Sequence, residues 1–161
     1  MSFDVVPSPH RPIAPSPHRR VAPLPLSASP RRPVAALLFM IVINRHRANV
    51  IKTRHGSEIR PLVDRTTSAI TQCSLAEELL LPGQAVTPHR HHEIEEIYYV
   101  VEGRGVMTVG DERQEVAAGD AIYVPRGQRH TLANTGSEPI KLLLVCGPAF
   151  FYEDEVLDTN E

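Results

Sequence analysis

The chain has 161 residues, of which 42% are hydrophobic, and this is enough for one sizeable core at the usual length of a single domain. Its net charge of −2 is divided unevenly, because residues 1–34 hold five Arg against one Asp, a net +4 that leaves −6 for residues 35–161. A mildly acidic folded region without clustered Lys and Arg excludes nucleic acid as an expected partner.

The first part of the chain is rich in proline. Nine of the fifteen prolines lie in residues 1–34, where residues 7–14 recur in similar form as residues 15–22. Proline removes backbone hydrogen-bond donors and favours an extended conformation, so such a stretch cannot build a sheet or order itself by burial. The sequence therefore predicts a disordered Pro/Arg-rich tail over residues 1–44.

An apolar run, Val34 to Ile43, follows Arg31 and Arg32 and imitates part of a secretory signal. The polar residues 44–47 replace the expected small-residue cleavage site, and ten apolar residues are too few to span a bilayer. We therefore expect a cytoplasmic protein without a membrane partner. Two interpretations of the run stay open: the natural start is Met40, or the run is a strand packed on the folded domain.

From about Val50 onward, short runs of Val, Ile, Leu and Tyr are separated by Gly and Pro, which predicts an all-β domain over residues 48–157. The predicted strands are Val50–Thr53, Glu58–Leu62, Ser68–Leu81, Val86–His91, Glu96–Glu102, Val106–Val109, Gln114–Val116, Asp120–Val124, His130–Asn134 and Ile140–Cys146. Gly110 and Asp111 predict a two-residue hairpin. Many short antiparallel strands protect their edges by closure or stacking, which favours a barrel or jelly roll.

The two cysteines, Cys73 and Cys146, are far apart and form no CxxC pair, so the sequence predicts neither a disulfide framework nor a zinc knuckle. We expect both to be small buried strand residues in a reducing compartment.

The chemistry concentrates in residues 87–103. His89 and His91 are two residues apart in a predicted strand, and strand alternation places both on one face. After a short turn, Glu96 has the phase that faces back toward the imidazoles, while His92 and Glu95 have the opposite phase and are only second-choice ligands.

A later segment supplies a fourth donor, His130. Pro125 and Gly127 predict a tight turn just before it, because proline fixes φ and glycine permits unusual φ values. Three imidazoles and one carboxylate suit a single divalent transition-metal ion.

These two segments resemble the paired motifs of the cupin superfamily, specifically its small single-domain members. The first runs Gly83, five residues, His89, one, His91, four, Glu96, six, Gly103; the second runs Gly119, five residues, Pro125, one, Gly127, two, His130, three, Asn134. All ten positions are filled, and fifteen residues separate the motifs. The resemblance covers roughly residues 58–147 and does not extend to the proline-rich tail.

The resemblance implies an all-β double-stranded β-helix (jelly-roll) barrel, commonly a homodimer, with iron, manganese, nickel, copper or zinc held by three His and one Glu. In this sequence those ligands are His89, His91, His130 and Glu96. An octahedral ion would keep two positions open for water, O₂ or substrate. Asn134 and the motif glycines are expected to serve the backbone rather than the reaction.

Three function classes remain open. The first is a dioxygenase-like metalloenzyme acting on a small organic molecule, with Glu96 as catalytic proton shuttle. The second, a sugar-phosphate isomerase or epimerase, ranks lower because Lys141, Arg126 and Arg129 are the few cations available for phosphate. The third is a non-catalytic small-molecule-binding module, although no helix-turn-helix pattern that would indicate a transcription factor flanks the barrel.

Overall fold

The regular structure consists almost entirely of strands. A computed structural model describes residues 40–53 and 57–158. Its strands are β1 (Ile51–Lys52), β2 (Glu58–Val63), β3 (Ser74–Leu80), β4 (His89–His91), β5 (Glu95–Glu102), β6 (Arg104–Val109), β7 (Glu112–Ala117), β8 (Ala121–Val124), β9 (His130–Ala133), β10 (Ile140–Gly147) and β11 (Glu155–Leu157). A 3₁₀ turn, Tyr152–Asp154, precedes β11.

The strands form two antiparallel sheets. The six-stranded sheet has the order β1-β2-β3-β10-β5-β8, and the five-stranded sheet has the order β11-β4-β9-β6-β7. Neighbours in each sheet are mostly not consecutive in the chain, as expected when the strands wind between two facing sheets. The predicted all-β double-stranded β-helix is confirmed.

The core lies between the sheets because each strand alternates. In β5, Glu96, Tyr98 and Val100 are buried while Ile97 and Tyr99 are exposed. The buried apolar residues that pack together are Leu80, Val86, Tyr98, Val100, Met107, Val116, Val124, Leu132, Ile140, Leu142 and Leu144. Each fully buried aliphatic side chain contributes roughly 1.5–3 kcal/mol to folding, so this cluster supports the scaffold on which the site is built.

The turn between β6 and β7 follows its sequence signal. Gly110 and Asp111 connect strands paired from Val109 and Glu112 onward, so the predicted hairpin is confirmed. At Gly103, φ is +85°, and a Cβ would lie 2.6 Å from the carbonyl oxygen of Pro139. Only glycine fits that position without moving the backbone.

The predicted strand Ser68–Leu81 is too long, since β3 begins only at Ser74. The preceding segment is turned by Asp64, whose Oδ1 accepts the backbone N–H groups of Thr66 and Thr67, both at 2.9 Å. A short polar side chain that bonds nearby backbone competes with sheet formation.

The predicted strand Val86–His91 is also too long, because β4 contains only its last three residues. Val86 donates its N–H to the carbonyl of Leu132 at 2.9 Å, outside a regular ladder. Pro88 has no N–H to donate, so pairing becomes regular only after it.

The expectation for the cysteines is half wrong. Cys146 is buried in β10, but Cys73 is exposed and precedes β3. Its position follows from the late start of that strand. No strand was predicted where β11 lies.

Residues 1–39 of the predicted tail lie outside the described residues, and so do residues 34–39 of the apolar run. Residues 40–44 contain no strand, and Arg45 then pairs with Glu77 of β3, with Nε 2.8 Å from Oε2. No helix in the described part of the chain is long and apolar enough to cross a membrane. The tail, the compartment and the homodimer stay predictions.

Candidate metal centre

The four predicted ligands come together between the sheets. His89 and His91 lie on β4 and His130 begins β9 in the five-stranded sheet, while Glu96 lies on β5 in the six-stranded sheet. All four are buried, with 1–6% of their surface exposed, and their ligand atoms lie within 4.8 Å of one another. This group can hold a metal ion, and its donors come from both layers.

Strand register explains the convergence of the imidazoles. His89 lies directly opposite His130 across the β4–β9 pair, and their ring centroids are 4.1 Å apart. His91 shares the face of His89 by alternation, at a centroid distance of 5.1 Å. His92 and Glu95 are exposed, so the outward phase predicted for them is confirmed.

The turn before His130 is hydrogen-bonded to β4, the strand that carries His89 and His91. Gly127 has φ of +77°, and its N–H donates to the carbonyl of His91 at 2.6 Å. Proline at 125 and glycine at 127 permit this tight path. The turn therefore fixes the start of β9 relative to β4.

Backbone carbonyls set the tautomers of two imidazoles. Nδ1 of His89 lies 2.8 Å from the carbonyl oxygen of Thr87, and Nδ1 of His130 lies 3.0 Å from that of Gln128. A carbonyl oxygen only accepts, so the proton of each neutral ring belongs on Nδ1. Nε2 then presents its lone pair to the centre, as a metal ligand requires.

Both oxygens of Glu96 are engaged. Oε2 lies 2.9 Å from Nε2 of His130 and 3.6 Å from Nε2 of His91, and Oε1 accepts a hydrogen bond from Sγ of Cys146 at 3.1 Å. His130 therefore faces an acceptor with each nitrogen, although a neutral ring has one proton. A cation placed between Nε2 and Oε2 would remove this conflict, which is evidence that the residues fit a metal.

The protonation states also suit ligation. Burial, with a smaller contribution from the charge of His130, lowers the pKa of His89 to about 4, and burial likewise lowers the pKa of His91. Burial acts to raise the pKa of Glu96, but the close polar contact with His130 and the charges of His91 and His130 outweigh it and lower the pKa to about 2. These shifts favour neutral rings at His89 and His91 beside an ionised Glu96 at neutral pH, which is the form that binds a metal.

The spacing is close to that of a bound ion. Metal bonds to His and carboxylate of about 2.1 Å allow donor atoms to lie at most about 4.2 Å apart across the ion. The upper limit of 4.8 Å in this structure exceeds that by an amount that small side-chain rotations cover.

Two contacts of the site were missed by the sequence analysis. Cys146 lies opposite Glu96 in the β10–β5 register, and Asp154 of the 3₁₀ turn approaches His91, with Oδ2 3.5 Å from Nδ1. Neither residue belongs to a motif. Alternation along the predicted strand Ile140–Cys146 indicates which face the thiol shares, but not which residue it meets.

Aromatic rings surround the imidazoles. Tyr98 is buried and its ring centroid lies 5.8 Å from that of His130, while the ring of Phe150 lies 6.0 Å from that of His91. Met107 is also buried, whereas Tyr123 is 57% exposed. Aromatic rings therefore pack beside two of the three imidazoles.

The side chain of Asn134 forms hydrogen bonds with backbone groups, as predicted. Its Nδ2 donates to the carbonyls of Leu80 and Glu138, both at 2.9 Å, and its Oδ1 accepts the N–H of Gly136 at 2.9 Å. The side chain has no free group for substrate.

The comparisons with known proteins agree with this geometry. A family model described as a cupin domain matches residues 76–146. An uncharacterized protein of Methanocaldococcus jannaschii is 40% identical over 107 residues, which cover 66% of this chain and 86% of that protein. The chain belongs to the cupin family. The resemblance inferred from the two motifs is confirmed.

Two further relatives have names that describe a pathway. The tetracenomycin polyketide synthase protein TcmJ of Streptomyces glaucescens is 32% identical over 59% of this chain and 64% of its own length. The solved structure of the polyketide cyclase RemF from Streptomyces resistomycificus superposes with a TM-score of 0.59 at 26% identity, covering 72% of this cupin and 89% of that chain.

Proposed function

We propose that this cupin is a metal-dependent enzyme that acts on a small organic molecule. One divalent transition-metal ion (iron, manganese, zinc, nickel or copper) would be held by His89, His91, Glu96 and His130. The observation that carries the proposal is the convergence of four buried donors from two sheets within 4.8 Å.

The donor set leaves room for reaction. Three neutral imidazoles and one carboxylate occupy four positions and neutralise only one of the two charges of a divalent ion. A bound ion would supply Lewis-acid polarisation of a substrate oxygen or, in the case of iron, reactivity toward O₂. The rest of the chemistry falls to the chain itself.

Glu96 is the proposed proton acceptor. Its lowered pKa keeps the carboxylate ionised, and the Cys146 thiol occupies Oε1 while Oε2 faces the imidazoles. Oε2 is therefore the oxygen that faces both a cation and a substrate proton. Glu96 is the only carboxylate among the four clustered donors, so removal of a proton from a bound hydroxyl or enolisable carbon falls to it.

The surroundings favour an uncharged or weakly acidic substrate over a phosphate. Apolar side chains such as Met107 and Leu132 line the inner faces, and the buried charged groups among the described residues are carboxylates and imidazoles without a Lys or Arg. A phosphate group needs cationic partners, and Lys141 instead pairs with Glu102. The sugar-phosphate isomerase alternative is therefore disfavoured.

The relatives refine the substrate class. The names of TcmJ and RemF refer to polyketide synthesis, and both cover more than half of this chain. Phenolic and β-diketone compounds share the enolisable oxygen chemistry of polyketides. They are the first substrates to test, both for dioxygenation and for cyclisation without O₂.

The test has two stages. Elemental analysis of freshly purified protein should find about one transition-metal ion per chain in the wild type and in His92→Ala, and much less in His130→Ala. Equal metal contents in the two variants would contradict the ligand assignment, because only His130 faces inward.

The second stage measures turnover. Protein reconstituted under anaerobic conditions with Fe²⁺, and in parallel with each of the other candidate metals, is given a panel of phenols and β-diketones, and O₂ uptake and product are followed separately. Turnover that consumes O₂ indicates dioxygenation, and product without O₂ indicates cyclisation or isomerisation. Saturable binding without product across the metals would contradict the enzyme proposal and favour the binding module.

A further inference from the structure

The four ligands are not supported equally on their outer side. Thr87, Gln128 and Cys146 provide partners for the outer atoms of His89, His130 and Glu96. His91 differs, because its Nδ1 is buried and has no hydrogen-bond partner among the described residues. A metal-bound imidazole normally donates this N–H to a carbonyl or carboxylate.

The carboxylate of Asp154 lies close to that nitrogen. It is buried, with 3% of the residue exposed, and Oδ2 lies 3.5 Å from Nδ1 of His91. The distance is longer than an ordinary N–H···O bond, so the contact in this structure is electrostatic. A buried carboxylate needs donors or an opposite charge nearby, and it meets a ring whose outer nitrogen needs an acceptor.

The carboxylate is held rigidly where it stands. Oδ1 accepts the N–H of Glu93 at 2.8 Å, and Oδ2 accepts the N–H of Ile94 at 3.1 Å. These two residues lie in the turn between β4 and β5, the strands that carry three of the four ligands. Asp154 thus joins the ligand turn to the C-terminal segment.

The C-terminal segment also pairs with the ligand strand. β11 runs antiparallel to β4, with Glu155 opposite His91 and Leu157 opposite His89. On its other side, β4 pairs with β9 only at His89 and His130. The position of the two β4 imidazoles therefore depends on residues 154–157, which lie outside both motifs.

We infer that Asp154 is a positioning residue of the metal centre, which orients His91 through Nδ1 and strengthens it as a donor to the cation. The inference rests on the proposed metal-binding function. Asp154 does not touch the cation, and it acts through the imidazole. Because a carboxylate is a stronger acceptor than a backbone carbonyl, His91 becomes the most electron-rich of the three imidazoles.

The test is a double-mutant cycle read as Zn²⁺ affinity, measured at pH 7.5 by competition with chromophoric chelators. Asp154→Asn should weaken Zn²⁺ binding about 10- to 100-fold, the usual effect of losing such an outer partner. In the His91→Ala background, the same substitution should change affinity less than about 3-fold. In the His89→Ala background, the full loss should persist, since His91 is still present.

Asp158→Asn is the matched control. Asp158 is a carboxylate of the same segment, pairs with Arg90 and Arg129, and does not contact an imidazole. Its loss changes the net charge equally and should leave Zn²⁺ affinity within about 3-fold of wild type. An equal loss in both aspartate variants would overturn the inference, because it would reflect overall charge alone.

The outcomes separate this inference from the proposed function. No Zn²⁺ binding by wild type would refute the metal centre itself. Wild-type binding with unchanged affinity in Asp154→Asn, or an equal loss with and without His91, would overturn only the role of Asp154. The last result would make Asp154 a cap of the 93–94 turn.

A measurement on wild-type protein covers the case in which Asp154→Asn does not fold. In ¹⁵N-labelled, Zn²⁺-loaded protein, nuclear magnetic resonance should detect a proton on Nδ1 of His91, downfield of the Nδ1 protons of His89 and His130. A His91 ring coordinated through Nδ1, or one without that proton, would overturn the inference.

Discussion

Acid should destabilise the metal-free protein through His89. Burial lowers the pKa of this imidazole from 6.5 to about 4, so the unfolded chain binds a proton in a pH range where the folded chain does not. The free energy of unfolding therefore has its full value above about pH 6.5, where His89 is neutral in both states, and it falls as pH falls from 6.5 toward 4. The shift of about 2.5 pKa units corresponds to roughly 3 kcal/mol in total, of which about 2 kcal/mol is lost between pH 7.5 and pH 5.

Neighbouring groups act in the same direction. His91 also has a lowered pKa, so it adds to the loss below pH 6.5, while the lowered pKa of Glu96 adds a further loss only below about pH 4.5. The pH range between 6.5 and 4.5 therefore reports His89 and His91 rather than Glu96.

The assay is urea unfolding of chelator-treated protein at pH 7.5 and pH 5. The free energy of unfolding should fall by about 2 kcal/mol or more in wild type and by clearly less in His89→Gln, which cannot titrate. The variant His92→Gln, at an exposed position of the same segment, should behave as wild type. The reasoning would be refuted if wild-type stability were equal at the two pH values, or if His89→Gln lost as much as wild type.

Three further outcomes are expected. Adding a chelator to the metal-loaded protein at pH 7.5 should lower its melting temperature in a calorimetric scan. An ion present at about 100 times its dissociation constant stabilises the fold by about 2.7 kcal/mol, so identical melting curves with and without chelator would speak against a bound metal. Cys146→Ala removes the donor to Oε1 of Glu96 and should lower the free energy of unfolding, measured by denaturant titration, by about 1–3 kcal/mol. Cys73→Ala, at an exposed position, should change the same free energy by less than about 0.5 kcal/mol. Asn134→Ala removes the side-chain partner of the carbonyls of Leu80 and Glu138 and of the N–H of Gly136, so the free energy of unfolding should fall by about 2 kcal/mol or more. Metal content per folded chain should stay unchanged, and a loss of metal would show that Asn134 acts on the centre.

The residues that face the centre were predictable from local rules. Strand alternation alone separates His89 and His91 from His92, and Glu96 from Glu95, and the structure buries the first set and exposes the second. The turn before His130 follows from proline and glycine chemistry. These inferences need only the period of a strand and the properties of single residues.

Contacts set by long-range register were not predictable in this way. Cys146 meets Glu96 because β10 pairs with β5 in one register, and a shift by one residue would turn the thiol to the other face. The segment Tyr152–Leu157 has no alternating apolar pattern, so β11 forms because β4 offers it an edge. The overlong prediction at Ser68–Leu81 fails for the converse reason, since local bonding by Asp64 wins over β-propensity.

The contacts that the four ligands make on the side away from the centre are also of two kinds, local and long-range in sequence. His89 and His130 each use the carbonyl of the residue two positions earlier, so their tautomers are set within the motif segments themselves. Glu96 and His91 instead face Cys146 and Asp154, which lie 50 and 63 residues away in the chain. The motifs therefore supply the donors, whereas the charge and polarity behind two of them come from residues that the motifs do not specify. Such outer groups tune the basicity of a metal ligand, so two cupins with identical motifs can differ in metal affinity. The metal affinity proposed for this chain therefore has to be argued from Cys146 and Asp154 as well as from the four donors.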